Sequence, residues 1–211
     1  IRVRNLATGT DRAVTTDHSA TGRAAISGTR VVWTADTDAR VWLADLATGE
    51  RRRVSDEVGD GPSISGDRVC YTSLGRVHVH NVRSGADQVV SPDAVGASNC
   101  DISGDIVVWQ DARFGSSDIF SYDLGSRTET RLTSDPAAQS MPRVDGQIVI
   151  WRDAGDGPDV TDIYARDLGT GVETLIAEVP GAQSFPDVSQ GRIVWTGERV
   201  GSGAAAVYLY D

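Results

Sequence analysis

The chain has 211 residues, 39% of them apolar, and a net charge of −10 in which every one of the 20 basic residues is Arg. An acidic surface of this kind repels the phosphate backbone of nucleic acid and an anionic lipid surface alike. No apolar run approaches the roughly 18 residues that membrane insertion requires, and any secretory signal lies upstream or has been removed.

The first nine residues, Ile-Arg-Val-Arg-Asn-Leu-Ala-Thr-Gly, read as a strand entering a capped turn, with a second strand expected at about 12–16. A phrase then recurs: Ala-Ile-Ser-Gly-Thr-Arg-Val-Val-Trp at 25–33, Ser-Ile-Ser-Gly-Asp-Arg-Val-Cys-Tyr at 63–71 and Asp-Ile-Ser-Gly-Asp-Ile-Val-Val-Trp at 101–109. It returns at 143–151 and, more degenerate, at 187–195. The closing aromatics Trp33, Tyr71, Trp109, Trp151 and Trp195 are 38, 38, 42 and 44 residues apart. A period near ~40 built of short strands and Gly-centred turns is the signature of four-stranded propeller blades.

Within a repeat, strand A carries the Ile of Ile-Ser-Gly, and the glycine makes the hairpin turn. Strand B is apolar on both faces, as expected between adjacent blades. Strand C follows a variable loop and places a planar ring at its second position: Trp42, His78, Phe120, Tyr164 and Tyr208. It ends in Asp-Leu-Ala-Thr-Gly (45–49) or a relative of that turn, and strand D closes the blade. The fold class is thus all-β, a propeller of four-stranded antiparallel blades with about five blades in this chain. One domain spans 1–211, with N-terminal strands in 1–16 and repeats at about 24–61, 62–99, 100–141, 142–185 and 186–211. Twenty-one strands are expected, where five closed blades need twenty and six need twenty-four. The N-terminal D strand either completes the fifth blade or the chain is part of a six- or seven-bladed ring, and the count favours the latter.

The frame assigns bland roles to most chemically tempting residues. His78 sits in the aromatic slot and packs; His80 is expected on the opposite side of the same strand; His18 lies in an irregular loop. Three histidines without a shared frame make no metal site. Arg51, Arg52 and Arg53 fall on an outermost strand, where charge discourages edge pairing. Asp111, Arg113 and Asp118 are expected to staple a loop. The acidic loop containing Asp153, Asp156, Asp159 and Asp162 is a weak calcium candidate, lacking the spacing of a helix–loop–helix calcium site. Cys70 replaces a repeat valine, and Cys100 takes the place held by Pro62, Pro142 and Pro186. Their strands are neighbours across a blade boundary, which leaves open an inter-blade disulfide or two small buried hydrophobes.

The stretch Val107-Val108-Trp109-Gln110-Asp111-Ala112-Arg113-Phe114-Gly115-Ser116-Ser117-Asp118-Ile119-Phe120-Ser121-Tyr122-Asp123-Leu124 resembles the TolB-like propellers, a bacterial repeat family related to the Trp-Asp-repeat propellers. The fourth repeat keeps Trp151-Arg152-Asp153 and 162–168 of that phrase but lengthens the loop; the others keep only the strands. The resemblance implies a scaffold for protein contacts, as in periplasmic assemblies, and carries over no catalytic residue or cofactor. The sequence has no Gly-x-Ser-x-Gly elbow, no His-Glu-x-x-His and no phosphate loop, since the Gly-rich 201–203 lacks the Lys such a loop needs.

The expected function is therefore non-catalytic binding of another protein, secreted or periplasmic in a bacterium, with Arg113 and Phe114 as loop contacts. Missing Lys with abundant Ala, Arg, Gly and Asp fits a high-GC bacterial source. The alternative is a carbohydrate-active enzyme or glycan binder with its site in the central funnel. Residues that break the repeat on one face would decide between them, and Trp42, His80, Arg152 and Arg166 are candidates.

Overall fold

The computed structural model describes residues 1–15, 20–157, 160–177, 181–198 and 204–211. Among these there is no helix, and the strands are all antiparallel. A two-stranded sheet, β1 (Arg2–Arg4) and β2 (Asp11–Ala13), precedes the blades. Blade 1 comprises β3 (Ala20–Ser27), β4 (Arg30–Ala35), β5 (Val41–Asp45) and β6 (Arg51–Arg53). Blade 2 comprises β7 (Asp60–Ser65), β8 (Arg68–Ser73), β9 (Arg76–Asn81) and β10 (Asp87–Val89). In blade 3 these are β11 (Ser98–Ser103), β12 (Ile106–Asp111), β13 (Asp118–Asp123) and β14 (Thr128–Arg131). Blade 4 has β15 (Gln139–Asp145), β16 (Ile148–Gly157), β17 (Val160–Asp167) and β18 (Glu173–Ala177). Blade 5 contains β19 (Ser184–Ser189), β20 (Arg192–Glu198) and β21 (Ala205–Tyr210). β1 and β2 do not join blade 5; they pack behind blade 1, where Val3 and Val14 meet Val31 and Trp33.

One apolar cluster fills each junction between successive sheets. Val32, Val41 and Leu43 of blade 1 meet Val69 and Tyr71 of blade 2; Val108 and Ile119 of blade 3 meet Val149 and Trp151 of blade 4. The ring of strand C lies against the strand-B aromatic directly opposite, as in Trp109–Phe120 and Trp195–Tyr208, whose centroids are 5.9 and 5.5 Å apart. In blade 5 the face equivalent to Val108 and Ile119 is open: Val194 is 37% and Val207 76% exposed.

Polar latches supplement these clusters. The Ser that ends strand A accepts a hydrogen bond from the turn glycine of the next blade: Gly66 N to Ser27 Oγ, Gly104 N to Ser65 Oγ and Gly146 N to Ser103 Oγ, at 3.0–3.1 Å. Asp145 does the same for Gln190 N at 2.6 Å. The Ser of the repeat phrase therefore serves the neighbouring blade. The basic triplet lies on the edge strand with Arg51 and Arg53 exposed and Arg52 half-buried, and Arg51 donates to the Val14 carbonyl and Arg52 to that of Val82, tying β6 to both neighbouring sheets.

Strand A begins two to four residues before each expected repeat boundary because it crosses a β-bulge. Register slips between Asp60 and Ser63, Ser98 and Asp101, Ser140 and Arg143, and Ser184 and Asp187. In these four bulges one residue is left-handed: Gly61, Asn99, Met141 and Phe185, with φ of 57, 54, 55 and 53°. Bulges bend a strand and re-aim its side chains.

Candidate functional site

Strand A of each blade touches strand A of the next, from β3 through β7, β11 and β15 to β19, so these strands surround the axis. Each pairs with strand B on one side and leaves its other edge unpaired. Two A positions hold steady through the chain: Ile26, Ile64, Ile102, Val144 and Val188, then Ser27, Ser65, Ser103, Asp145 and Ser189. Two others do not. The position opposite the middle of strand B is Ala25, Ser63, Asp101, Arg143 and Asp187, and the one at the bulge is Arg23, Gly61, Asn99, Met141 and Phe185. The inner wall is where the repeat loses its chemistry.

These residues form a charged network. Asp101, nearly buried, accepts from Ser63 Oγ at 2.6 Å and from Val144 N at 3.0 Å, and pairs with Arg23 Nη2 at 3.5 Å. Arg23 therefore reaches from blade 1 past blade 2 to blade 3. Arg143 donates to the Pro142 carbonyl at 2.6 Å and has no carboxylate in ion-pair range among the described residues. Burial, with the Arg23 charge added, holds the Arg143 guanidinium below its usual value against the pull of Asp101 and Asp187. Most of its five donors are free for a ligand acceptor. Phe185, at the bulge of the next inner strand, is 67% exposed. A left-handed conformation is costly for a non-glycine residue, and such residues cluster at binding sites.

The sequence candidates fall elsewhere. Arg113 is consumed inside its loop: it pairs with Asp111 at 2.6 Å and Glu129 at 2.8 Å and lies 4.4 Å from the Phe120 centroid. Phe114 is 61% exposed, stacked on Phe120 and covered by Arg131, which also pairs with buried Asp118 at 2.7 Å. The geometry thus stiffens the loop, and of the two expected contact residues Phe114 is the exposed one. In the calcium candidate, Asp153 caps Gly155 N at 2.8 Å and stands opposite Asp162 in the β16–β17 ladder. Asp159 and the Asp156 side chain lie outside the described residues, as do His18 and 201–203. Among the described residues no three His, Cys, Asp or Glu side chains come together to hold a metal. Trp42 donates to Asp38 at 3.3 Å and Arg166 to the Leu132 carbonyl at 2.7 Å, both within the scaffold.

The structure corrects the placement of His80. Residues two apart on a strand share a face, so His78 and His80 both turn to Asp87, at 2.8 and 3.6 Å. Tyr71 donates to the same carboxylate at 2.7 Å and stacks on His78. Burial opposes ionisation of Asp87, but the hydrogen bonds from His78 and Tyr71, with the His80 ring close by, outweigh it and hold the carboxyl well below its usual range. Burial and then Asp87 push the Tyr71 hydroxyl up. The group lines a groove with Arg53 of blade 1. Cys70 and Cys100 are both fully buried free thiols in one cluster at the junction of blades 2 and 3.

Fold and site together define an open β-propeller with a polar, repeat-breaking inner wall. No protein-family model and no curated protein matches the sequence. Among solved structures, TolB from Acinetobacter baumannii aligns at TM-score 0.70 and 16% identity, over 98% of this chain and 56% of that one. A putative TolB from Agrobacterium tumefaciens aligns at 0.74 and 16%, over 100% and 83%. An oligogalacturonate lyase in complex with manganese aligns at 0.68 and 18%, over 98% and 69%. The fold is that of the TolB-like propellers, and the chain spans little more than half of the Acinetobacter protein.

Proposed function

We propose that this chain is a non-catalytic binding module that takes a segment of a partner protein at its inner wall, in an extracytoplasmic compartment of a bacterium. The observation that carries the reading is the loss of the repeat at two inner-strand positions, which brings Arg23, Asp101, Arg143 and Phe185 to one wall. A repeat scaffold keeps what packing needs, so residues that vary on one face are free to serve a ligand. The unpaired edges of the inner strands offer amides and carbonyls that an extended peptide matches. The resemblance to TolB-like propellers supports the compartment and the partner class.

The test is retention of secreted and envelope proteins on the immobilised chain beside an Arg23→Ala/Arg143→Ala/Phe185→Ala variant of equal stability. A protein held near one-to-one by the parent and lost by the variant is the expected result. Equal retention by both overturns the site. An acidic sugar is the second reading, favoured by the two guanidinium groups and by the lyase neighbour. It is chosen instead if oligogalacturonate, and no protein, distinguishes parent from variant.

A further inference from the structure

The chain has two cysteines, 30 positions apart. They occupy different places in the repeat, one on β8 of blade 2, where other blades hold Val or Ile, and the other on β11 of blade 3, where other blades hold Pro or Ala. Both are 0% exposed in a single junction cluster, on strands packed against each other. A buried residue touches about 6–12 others, so two cysteines placed at random in a chain of this length would meet roughly one time in twenty. Two separate departures from the repeat that converge on one cluster are best explained by a bond between them.

We propose that Cys70 and Cys100 form a disulfide that joins blade 2 to blade 3. The step is thiol–disulfide exchange with a disulfide-bearing oxidant of the dithiol oxidase class. One thiolate attacks the oxidant disulfide to give a mixed disulfide, and the second displaces the oxidant thiolate. The pair loses two protons and two electrons, and the oxidant leaves as a dithiol. Exchange precedes closure of the junction, because the folded blades bury both sulfurs completely. The bond lies directly behind the inner wall: Cys70 is the ladder partner of Ser63, and Cys100 precedes Asp101, the residue that Ser63 holds. It therefore fixes the spacing of the wall, whatever ligand that wall takes, and a persistent bond requires an oxidising compartment.

The experiment compares the full chain exported to a bacterial periplasm with the same chain made in a reducing cytosol. Each is denatured without reductant, alkylated with iodoacetamide and weighed intact. The exported chain is expected to take no label until reduced, and its digest to contain the Cys70 and Cys100 peptides joined. Reduction is expected to lower its Tm by roughly 5–15 °C. Cys70→Val, the residue the repeat uses, serves as a packing control and abolishes the reductant-dependent shift. Two free thiols in the exported chain, or a bond between two chains, overturns the proposal.

Discussion

The Ser63 hydroxyl of blade 2 donates a 2.6 Å hydrogen bond to the Asp101 carboxylate of blade 3, and Asp101 in turn receives the Val144 N–H of blade 4. Three consecutive blades thus meet on one carboxylate at the inner wall. A buried donor stripped of its acceptor costs about 1–3 kcal/mol. Asp101→Ala strips Ser63, Val144 N–H and Arg23 at once and is expected to cost roughly 3 kcal/mol, against about 1–2 for Ser63→Ala. Urea denaturation curves with unchanged m-values check both. Equal, small losses would show that the network contributes little.

Trp109 is fully buried at the blade 2–blade 3 junction. Trp109→Ala removes a large side chain from a site that cannot collapse and is expected to cost about 3–5 kcal/mol. A stable variant would overturn the inter-blade packing described here.

One repeat position offers an internal control. Ile119 and Val207 are equivalent strand-C residues, 0% and 76% exposed. Ile119→Ala should cost about 2–5 kcal/mol, whereas Val207→Ala should change stability by no more than about 0.5 kcal/mol. Thermal melts of the two variants read the difference directly.

Asp87 gives stability a pH dependence of known sign. Its folded value lies below that of the unfolded chain because burial is outweighed by the hydrogen bonds that His78 and Tyr71 make to the ionised form, with His80 close by. Such a group stabilises fully above the unfolded carboxylate value near ~4, and the contribution fades as pH falls below that. The Tm gap between parent and Asp87→Asn should be open at neutral pH and narrow steadily in acid below about pH 4. A gap that is constant from neutrality into acid would refute the assignment.

Phe185 tests whether the wall is kept for binding rather than for folding. Its left-handed backbone suits glycine, and its ring is largely exposed. Phe185→Gly is therefore expected to hold stability within about 1 kcal/mol of the parent while weakening retention of the partner. Calorimetry and the retention assay separate the two effects.

The blades were legible in the sequence because strand B and the Ser-Gly turn repeat for packing reasons, and packing constraints are the same in every blade. The inner wall was not, because an alignment anchored on what repeats discards positions 23, 61, 99, 141 and 185 as noise. The signal was there: Met141 and Phe185 stand where Gly61 does. Arg113 drew attention through its motif, yet its guanidinium is spent on Asp111 and Glu129, an arrangement that spacing alone does not reveal. His80 was misplaced although the period of a strand sets it beside His78. The neighbouring strands of Cys70 and Cys100 could be read from the repeat frame, and the packing of β8 against β11 agrees with it.

The latches from Ser27 to Gly66, Ser65 to Gly104, Ser103 to Gly146 and Asp145 to Gln190 all point the same way along the chain. A nascent chain emerging from the ribosome would complete one blade with its acceptor already in place for a turn still to be translated.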